Sequence, residues 1–539
     1  MADIKSQLQK VKQALTSGAS SGGKKLSAEK PKVPVAKRTP HRSGDKMCVQ
    51  PKTISLPSTP KMVQSSQMAL HSGAVTQGNA SERLIVPKSS VLTRQSEFHE
   101  PAVWVTKGTA TQLLENPQGR KREAFIGFDF GTAYTKAAVG LLDKVFPVDW
   151  RGVLDTRSPY LLPTEYSALA NGRCYLGQHP RAGVGDLITE LKQAFIRTSP
   201  TDAEICRAAV FVALVLQYVR AWVYEHHRGK LDGSPLRWHL NIGTPSNGLE
   251  ENERTTAYRR LACAAWSLSL LDRAEISFAQ ATRLLPSGTG VLPQDLVETD
   301  PVPEFIGQLA GYTKSAQRQK GLHALVDIGG GTVDMVTFNV HYAEGDDTFP
   351  FFVPRVEPLG TYAMVANRFR GTSPEVPRIS AAIDDLMDGQ EFSRATGISV
   401  ATIASLDAEF SAEVAREVAA VFWKTRRNRY RQAPEWKHGV RTFVTGGGAR
   451  LPIYADAVDQ GGLRENVPLN RVSLPKHPRL DEFDAPDDEY HRISVACGLA
   501  TNRLSLGAIV PANQVEDDLS ARVKRTASPR PDRDELYPR

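Results

Sequence analysis

Two aspartates that follow apolar runs are the side chains of this sequence with the clearest chemical potential. One of them, Asp327, is followed by Gly329, Gly330, Gly331 and Thr332, and then by a second apolar run. Strand, glycine turn and strand together predict a β-hairpin. Because the turn lacks side chains, its backbone N–H groups can approach a ligand closely, and such groups favour anions. An aspartate at this strand end is well placed to reach a metal ion held by phosphates.

The second aspartate, Asp129, lies in a stretch that repeats this pattern. An apolar run from Phe125 to Phe128 precedes it. The turn and the start of the returning strand contain Gly131, Thr132, Ala133, Tyr134 and Lys136. Two related hairpins in one chain predict two similar lobes that face one ligand.

A third glycine turn lies closer to the C-terminal end of the chain. The run from Gly439 to Val444 predicts a strand that leads into Thr445, Gly446, Gly447 and Gly448. One glycine turn is a weak signal, since such turns are common. The three turns therefore predict a function only as a set.

The positive charge of the chain is concentrated in its first part. The formal net charge is +8, but residues 1–61 hold eleven lysines and two arginines against three acidic residues. The rest of the chain is nearly neutral, so nucleic-acid binding is expected first of the tail. A second basic run, Lys424 to Arg431, stands at a predicted helix end. It is either a solvated helix end or a nucleic-acid patch.

Residues 1–88 are predicted to be a basic, disordered tail, because they are rich in Ser, Lys, Pro and Gly and contain no aromatic residue. Within them, apolar residues recur at helical spacing over residues 2–16. This short amphipathic helix could dock on a protein partner, lie on an anionic membrane or have no partner. The basic tail could also bind nucleic acid, although a solvated tail is the simpler interpretation.

The body is predicted to begin after a packing segment at residues 89–121. A first lobe then covers residues 122–285, a second lobe covers residues 286–510, and a disordered tail covers residues 511–539. These limits follow from the apolar runs and from the Pro-containing, charged composition of the last segment.

Membrane-spanning and disulfide-rich classes are not expected. The apolar run Ala208–Leu216 is shorter than the roughly 20 residues that cross a bilayer, and it predicts a buried helix. The five cysteines show no zinc spacing and no disulfide framework. The N-terminus lacks the apolar core of a signal peptide. We therefore expect a cytoplasmic protein.

As a set, the three turns resemble the two phosphate motifs and the adenosine motif of the actin-like ATPase superfamily. The motifs are DFGTAYTK (129–136), DIGGGTVD (327–334) and VTGGGARLP (444–452), and they are most similar to those of DnaK-type heat-shock chaperones. The resemblance covers residues 122–510 and does not extend to the peptide-binding domain of the chaperones. It implies an α/β fold of two lobes, built from duplicated ribonuclease-H-like domains, that close over ATP and Mg²⁺.

The resemblance also implies where the lobes are connected. ISVACGLA (493–500) is similar to the second connecting helix of the family, and NIGTPSN (241–247), with the helix after Glu250, is similar to the first connection.

Each matching residue has an implied role. Asp129 and Asp327 would hold Mg²⁺ through its waters, because this hard cation retains several waters when it is bound. Residues that would contact the nucleotide are Gly131, Thr132, Ala133, Tyr134, Gly329, Gly330, Gly331, Thr332, Gly446, Gly447, Gly448 and Arg450.

Two catalytic roles are less well defined. Chaperones place a glutamate after the strand that precedes the second phosphate motif, but here the predicted strand Glu275–Phe278 is followed by Gln280. A glutamine can orient a water, as in actin, but cannot act as a base, and this departure predicts slow hydrolysis. Either Lys136 or Lys192 would contact the phosphates. Lys136 is favoured, because its motif is better defined.

Three functions remain under consideration. The first is a slowly hydrolysing, nucleotide-dependent switch or assembly factor that recruits partners. The second is a filament-forming protein like the bacterial actins, and it implies a homo-oligomer. The third, a small-molecule kinase, is less favoured because no motif nominates a further carboxylate base in a substrate pocket.

Overall fold

The computed structural model describes eleven stretches of the chain. They are residues 97–98, 120–155, 158–179, 185–197, 200–245, 253–288, 292–343, 346–370, 387–506, 508–510 and 512–515. The tail at residues 1–88, its helix at residues 2–16, most of the packing segment at 89–121 and most of the C-terminal tail at 511–539 lie outside the described residues.

The described residues form both strands and helices, and nine strands precede the first α-helix. The strands are β1 (Glu97–Phe98), β2 (Arg122–Asp129), β3 (Tyr134–Leu141), β4 (Lys144–Pro147), β5 (Leu154–Asp155), β6 (Leu162–Pro163), β7 (Tyr166–Leu169), β8 (Cys174–Leu176), β9 (Gly185–Ile188), β10 (Leu236–Thr244), β11 (Leu296–Pro303), β12 (Gly321–Ile328), β13 (Val333–Ala343), β14 (Asp346–Glu357), β15 (Val440–Thr445), β16 (Leu469–Arg471) and β17 (Ala508–Val510). The α-helices are α1 (Gln193–Arg197), α2 (Asp202–His226), α3 (Arg228–Leu231), α4 (Glu253–Ser269), α5 (Phe278–Leu284), α6 (Glu304–Thr313), α7 (Thr361–Arg368), α8 (Gly389–Thr396), α9 (Val400–Lys424), α10 (Glu435–His438), α11 (Pro452–Arg464) and α12 (Tyr490–Leu499).

Two six-stranded sheets share one topology. In the first, β2, β3 and β4 pair in antiparallel fashion, β10 lies parallel to β2, and β11 lies parallel to β10. In the second, β12, β13 and β14 repeat the antiparallel arrangement, β15 lies parallel to β12, and β16 lies parallel to β15. The predicted α/β fold of two similar lobes is confirmed by this duplicated order.

The boundary between the lobes differs from the prediction. Strand β11 (Leu296–Pro303) still pairs with β10 of the first sheet, so the chain leaves the first sheet after Pro303 and not near residue 285. Helix α6, which starts at Glu304, is the first connection. The predicted connection, the helix after Glu250, corresponds to α4 (Glu253–Ser269), and it packs on α2 and β11 within the first lobe.

Helix α2 forms the centre of the first lobe. Thr201 and Glu204 cap its start reciprocally, in a capping box. The helix is long and apolar enough to cross a membrane, but nearly all of its apolar window is buried in the body. The buried helix predicted at Ala208–Leu216 is therefore confirmed.

Two buried helices, α6 and α12, join the lobes and cross each other closely. A Cβ atom on Gly498 of α12 would lie 1.8 Å from the carbonyl oxygen of Gly307 on α6, so the backbones can approach only because both residues are glycine. An apolar cluster that includes Phe305, Leu325 and Ala496 surrounds the crossing and contains residues of both sheets. The crossing helices are thus fixed to both lobes.

Candidate functional site

A cleft opens where the three glycine turns meet the crossing helices. The turn after β2, the turn after β12 and the turn after β15 form its walls, and α6 and α12 complete it. Its lining comprises Asp129, Gly131, Thr132, Ala133, Tyr134, Lys136, Lys192, Glu304, Gln308, Asp327, Gly329, Gly330, Gly331, Thr332, Asp334, Thr361, Gly446, Gly447, Gly448, His491, Arg492 and Val495. The structure therefore brings together every predicted site residue except Gln280 and Arg450.

The hairpin of β2 and β3 contributes a compensated pair of charges. Asp129 ends β2 and lies opposite Lys136 on β3, and Lys136 Nζ lies 2.9 Å from Asp129 Oδ2. Asp129 is buried and Lys136 is partly buried. The side chain of Thr164 donates to the carbonyl of Gly131 at 2.9 Å and holds the turn in place.

The hairpin of β12 and β13 contributes two carboxyls of the same charge. Asp327 lies opposite Asp334 in the strand register. Thr445 Oγ1 donates to Asp327 Oδ1 at 3.2 Å. Burial raises the pKa of Asp327 to about 6, and the negative charge of Asp334 adds to this effect, while a hydrogen bond from Gln308 opposes it. The surface that Asp327 does expose faces the cleft.

Backbone N–H groups of both phosphate turns lie at the cleft. The N–H of Gly329 donates to Thr332 within its own turn, and the N–H of Gly131 donates to Asp129. The backbone N–H of Gly131 is therefore less available for the nucleotide contact that the resemblance implies. The N–H groups of Thr132, Gly330 and Gly331 have no backbone carbonyl partner within the described part of the chain. These groups are the ones that can bind phosphate oxygens.

The two phosphate turns lie against each other across the cleft. A Cβ atom on Gly331 would lie 2.8 Å from Thr132 Oγ1. Glycine at position 331 is therefore what allows the turns of the two lobes to approach this closely.

The third turn supports Asp327 and borders the open side of the cleft. Gly446 has a φ of +83°, and a Cβ atom there would lie 2.4 Å from Asp327 Oδ1. Arg450 pairs with Glu489 and does not line the cleft. Arg492 of α12 lines the cleft beside this turn: it lies near Gly447, and its guanidinium carbon is 5.6 Å from the ring centroid of Tyr134.

A buried ion pair on the cleft wall joins Lys192, one of the two lysine alternatives, to a glutamate that the sequence did not suggest. Lys192 Nζ lies 2.6 Å from Glu304 Oε1, at the start of α6. Both Lys136 and Lys192 line the cleft. Both lysines therefore belong to the cleft: Lys136 is paired with Asp129, and Lys192 is paired with Glu304.

Burial sets the protonation of this pair. Burial raises the pKa of Glu304 to about 7, where Lys192 opposes the shift and the charges of Asp129 and Asp334 add to it. Burial alone would lower the pKa of Lys192, but the nearby carboxyl of Glu304 and the Tyr258 hydroxyl raise it on balance. Lys192 keeps its proton at neutral pH. Burial thus raises the pKa of the Glu304 carboxyl towards the range that suits a general base.

Gln280 lies away from the cleft. Residues 278–284 form helix α5, where Ser277 caps the start and accepts a hydrogen bond from the N–H of Gln280. Helix α5 packs on α2 and α4. The strand predicted at Glu275–Phe278 is therefore wrong, and with it the catalytic position of Gln280. The strand that comes before β12 along the chain is β11, and the residue that follows β11 is Glu304.

The acidic and amide side chains of the cleft suit a cation that is bound through its waters more than one that they contact directly. Within the described stretches, no three His, Cys, Asp or Glu side chains are grouped closely enough to hold a metal ion. Asp327 and Asp334 nevertheless face each other as like charges, and Gln308 has a buried Oε1 acceptor without a hydrogen-bond partner. Acceptors of this kind suit the waters around Mg²⁺, which retains several of them when bound. The donor set therefore fits Mg²⁺ held through water.

Comparisons with known proteins add little to this geometry. The sequence matches no protein-family model and no curated protein. Among solved structures, the chain is similar to the crystal structure of MreB5 of Spiroplasma citri bound to ADP, with 15% sequence identity and a TM-score of 0.39. The match covers 70% of this chain and 94% of that one. At this identity and TM-score the similarity supports no functional argument. The function is therefore argued from the geometry of the cleft.

Some residues of the cleft were missed by sequence reasoning. They are Glu304, Gln308, Asp334, Thr361, His491, Arg492 and Val495. Asp334 was visible as the second aspartate of DIGGGTVD. Glu304 had a weaker signal, an acidic residue directly after a proline at the end of an apolar stretch. The others lie on helix faces whose direction only the fold reveals.

Proposed function

We propose that the cleft binds ATP with Mg²⁺ and hydrolyses it. The observation that supports this proposal is the convergence of two glycine hairpins, one from each lobe, on one cleft. Each hairpin brings an aspartate, Asp129 or Asp327, to the same space. The N–H groups of Thr132, Gly330 and Gly331 would bind phosphate oxygens, while the third turn and Arg492 would border the adenosine.

Glu304 is the proposed water-positioning residue and general base. Hydrolysis of a phosphoanhydride needs a positioned water and neutralised charge more than covalent chemistry. The Glu304 carboxylate would accept a proton from the attacking water. Lys192, at 2.6 Å, orients this carboxylate and places a positive charge beside the phosphates. Mg²⁺, held by Asp129 and Asp327 through its waters, would neutralise charge on the phosphates.

Slow hydrolysis remains part of the proposal. The reason is now the pairing of Glu304 with Lys192 and not the presence of Gln280. The Glu304 carboxylate already accepts a hydrogen bond from Lys192 in a buried pair. Lys192 thereby offsets part of the rise in pKa that burial gives the Glu304 carboxyl, because the cation stabilises its charged form.

The Glu304→Gln variant tests the catalytic assignment. We expect the rate of phosphate release to fall about 100-fold or more, which is the usual contribution of a general base, while ATP binding persists. Gln280→Ala is the matched control, and it should release phosphate at the rate of the unmodified protein. A Gln280→Ala variant that loses hydrolysis, beside an active Glu304→Gln variant, would reverse the assignment. Release of phosphate without any added acceptor argues against a kinase.

The biological role that we propose is a nucleotide-dependent switch in the cytoplasm. Helices α6 and α12 both line the cleft and are packed against both lobes, so nucleotide contacts can bias the arrangement of the lobes. The tail at residues 1–88 would recruit a protein partner. A filament of stacked subunits is the alternative. Sedimentation with and without ATP separates the two, because polymers that form only with nucleotide would exclude a simple switch.

A further inference from the structure

One surface of the second lobe carries a cluster of exposed cations, which we call the basic end. It lies where α9 ends, in the helical turn Thr425–Arg429 that follows it, and on α10. Its exposed members are Lys424, Arg426, Arg427, Arg431 and Lys437. It shares no residue with the ATP cleft.

The basic end groups several exposed cations that have no carboxylate partner among the described residues. Across the described stretches, none of the five forms an ion pair with Asp or Glu; Arg426 donates only to the backbone carbonyl of Glu465. Other exposed arginines of the same lobe include paired ones, such as Arg370 with Glu409 and Arg471 with Asp459. The basic end therefore presents uncompensated positive charge to an outside partner.

An exposed aromatic ring lies within the basic end. Trp423 is 43% exposed, and the guanidinium carbon of Arg427 lies 5.1 Å from its ring centroid. Arg426 lies 5.9 Å from the ring of Trp436, which brings Lys437 of α10 alongside. A ring with flanking cations can stack a nucleobase while the cations contact phosphates.

The position at a helix end explains part of this cluster but not all of it. Basic side chains are favoured at a helix C-terminus, where the helix dipole is negative, and the effect is confined to the last turn. Lys424 fits that explanation. Arg431 lies beyond the last helical turn, so the dipole does not account for it, whereas Lys437 lies in the last turn of the short helix α10.

We propose that the basic end binds single-stranded nucleic acid, with phosphates against the cations and a base stacked on Trp423. An anionic membrane is the weaker fit, because membrane-surface helices present a broad apolar face, whereas here one indole ring lies beneath a guanidinium. The site would act independently of ATP hydrolysis.

Fluorescence polarisation of a labelled oligothymidylate with the full-length protein, measured over a range of salt concentrations, tests this proposal. Replacing both arginines, in the variant Arg426→Gln with Arg427→Gln, should reduce the slope of log affinity against log salt by about 1.4, or roughly 0.7 per lost phosphate contact. The matched control, Lys24→Gln with Lys25→Gln, removes the same charge from the tail and should leave the affinity of the basic end unchanged.

A second variant separates stacking from general attraction to anions. Trp423→Ala should weaken oligothymidylate binding about tenfold, in line with the loss of one stacked base. Its affinity for inorganic polyphosphate should be unchanged. Thermal unfolding of each variant should match that of the unmodified protein, since all of these side chains are exposed.

Three results would overturn the proposal. One is an equal loss of binding in the tail variant, which would assign the oligonucleotide to the tail. Another is tighter binding to vesicles that contain an anionic phospholipid than to the oligonucleotide. The third is binding that develops only after Glu516, Asp517 and Asp518 are neutralised. These residues follow Val515, whose carbonyl accepts a hydrogen bond from Arg429, and that result would make the chain's own acidic segment the occupant.

Discussion

The hairpins of the two lobes have the same strand register, but the residue opposite the aspartate is positively charged in one and negatively charged in the other. In the first lobe, Asp129 faces Lys136, and the two side chains form an ion pair at 2.9 Å. In the second lobe, the equivalent strand position opposite Asp327 holds Asp334. Like charges directly opposite each other on neighbouring strands are destabilising. In the first hairpin the facing residue supplies a counter-charge, whereas in the second the facing residue adds a further negative charge.

This difference assigns separate tasks to the two lobes. Lys136 pairs with Asp129 and holds this carboxylate in place. Asp327 has a raised pKa because it is buried beside Asp334, and a bound cation would relieve that effect. Magnesium binding is therefore expected to stabilise the second lobe more than the first.

The largest effect on stability is expected for Lys136→Met. This change leaves the buried Asp129 carboxylate without its cation, and removing one partner of a buried pair typically costs about 3 kcal/mol. The free energy of unfolding, from urea titration at pH 7.5, should fall by this amount. A fall of less than about 0.5 kcal/mol would show that the first hairpin does not depend on the pair.

In the second lobe, the raised pKa of Asp327 is expected to make the stability of the protein depend on pH. The folded-state pKa of Asp327, about 6, lies above its ordinary value of 3.8. The folded protein therefore binds more protons than the unfolded chain between these values, and this residue's contribution to stability is lost as pH rises through 6. Asp327→Asn should match the unmodified protein near pH 4 and exceed its stability above pH 6, by about 1–2 kcal/mol.

Measurement of both proteins by urea titration at several pH values, without magnesium or nucleotide, tests this expectation. Comparing the variant with the unmodified protein cancels the contribution of other carboxyls. A variant that loses stability relative to the unmodified protein as pH rises would contradict the raised pKa.

A smaller effect is expected for Asp334→Asn. Removing one of two facing carboxyls should stabilise the protein without ligand by about 0.5–1 kcal/mol. The same change should reduce the rise in melting temperature that magnesium and ATP produce. Stabilisation by Asp334→Asn and destabilisation by Lys136→Met would establish the contrast between the hairpins, and effects of the same sign would remove it.

The features that were predicted from the sequence are those encoded locally. Apolar runs that end in Asp129 and Asp327 and lead into glycine turns specify hairpins without reference to distant residues. The duplicated lobes followed from two such hairpins. The length and apolar composition of helix α2 likewise identified it as buried.

Glu304 was missed because its strand does not resemble one in sequence. Strand β11 reads LVETDPVP, with two prolines and two acidic residues. Proline lacks an N–H donor and is tolerated in sheets chiefly on edge strands, and β11 is an edge strand of the first sheet. The short run Ile276–Ala279 resembled a strand instead, but Ser277 caps a helix there. A short apolar run does not by itself distinguish the two structures.

The pairing of Arg450 with Glu489 and the position of Arg492 could not be predicted for a different reason. Both depend on how α12 lies against the third turn, which is a contact between residues far apart in sequence. The motif located the turn correctly but did not determine which arginine faces the cleft.

The most direct test of the ATP clamp is the magnesium dependence of ATP binding, measured by isothermal titration calorimetry. We expect magnesium to increase the affinity of the unmodified protein for ATP. Asp327→Asn should abolish this increase while its thermal unfolding remains cooperative. An Asp327→Asn protein that binds ATP with the same affinity and the same magnesium dependence as the unmodified protein would contradict the assignment of the cleft.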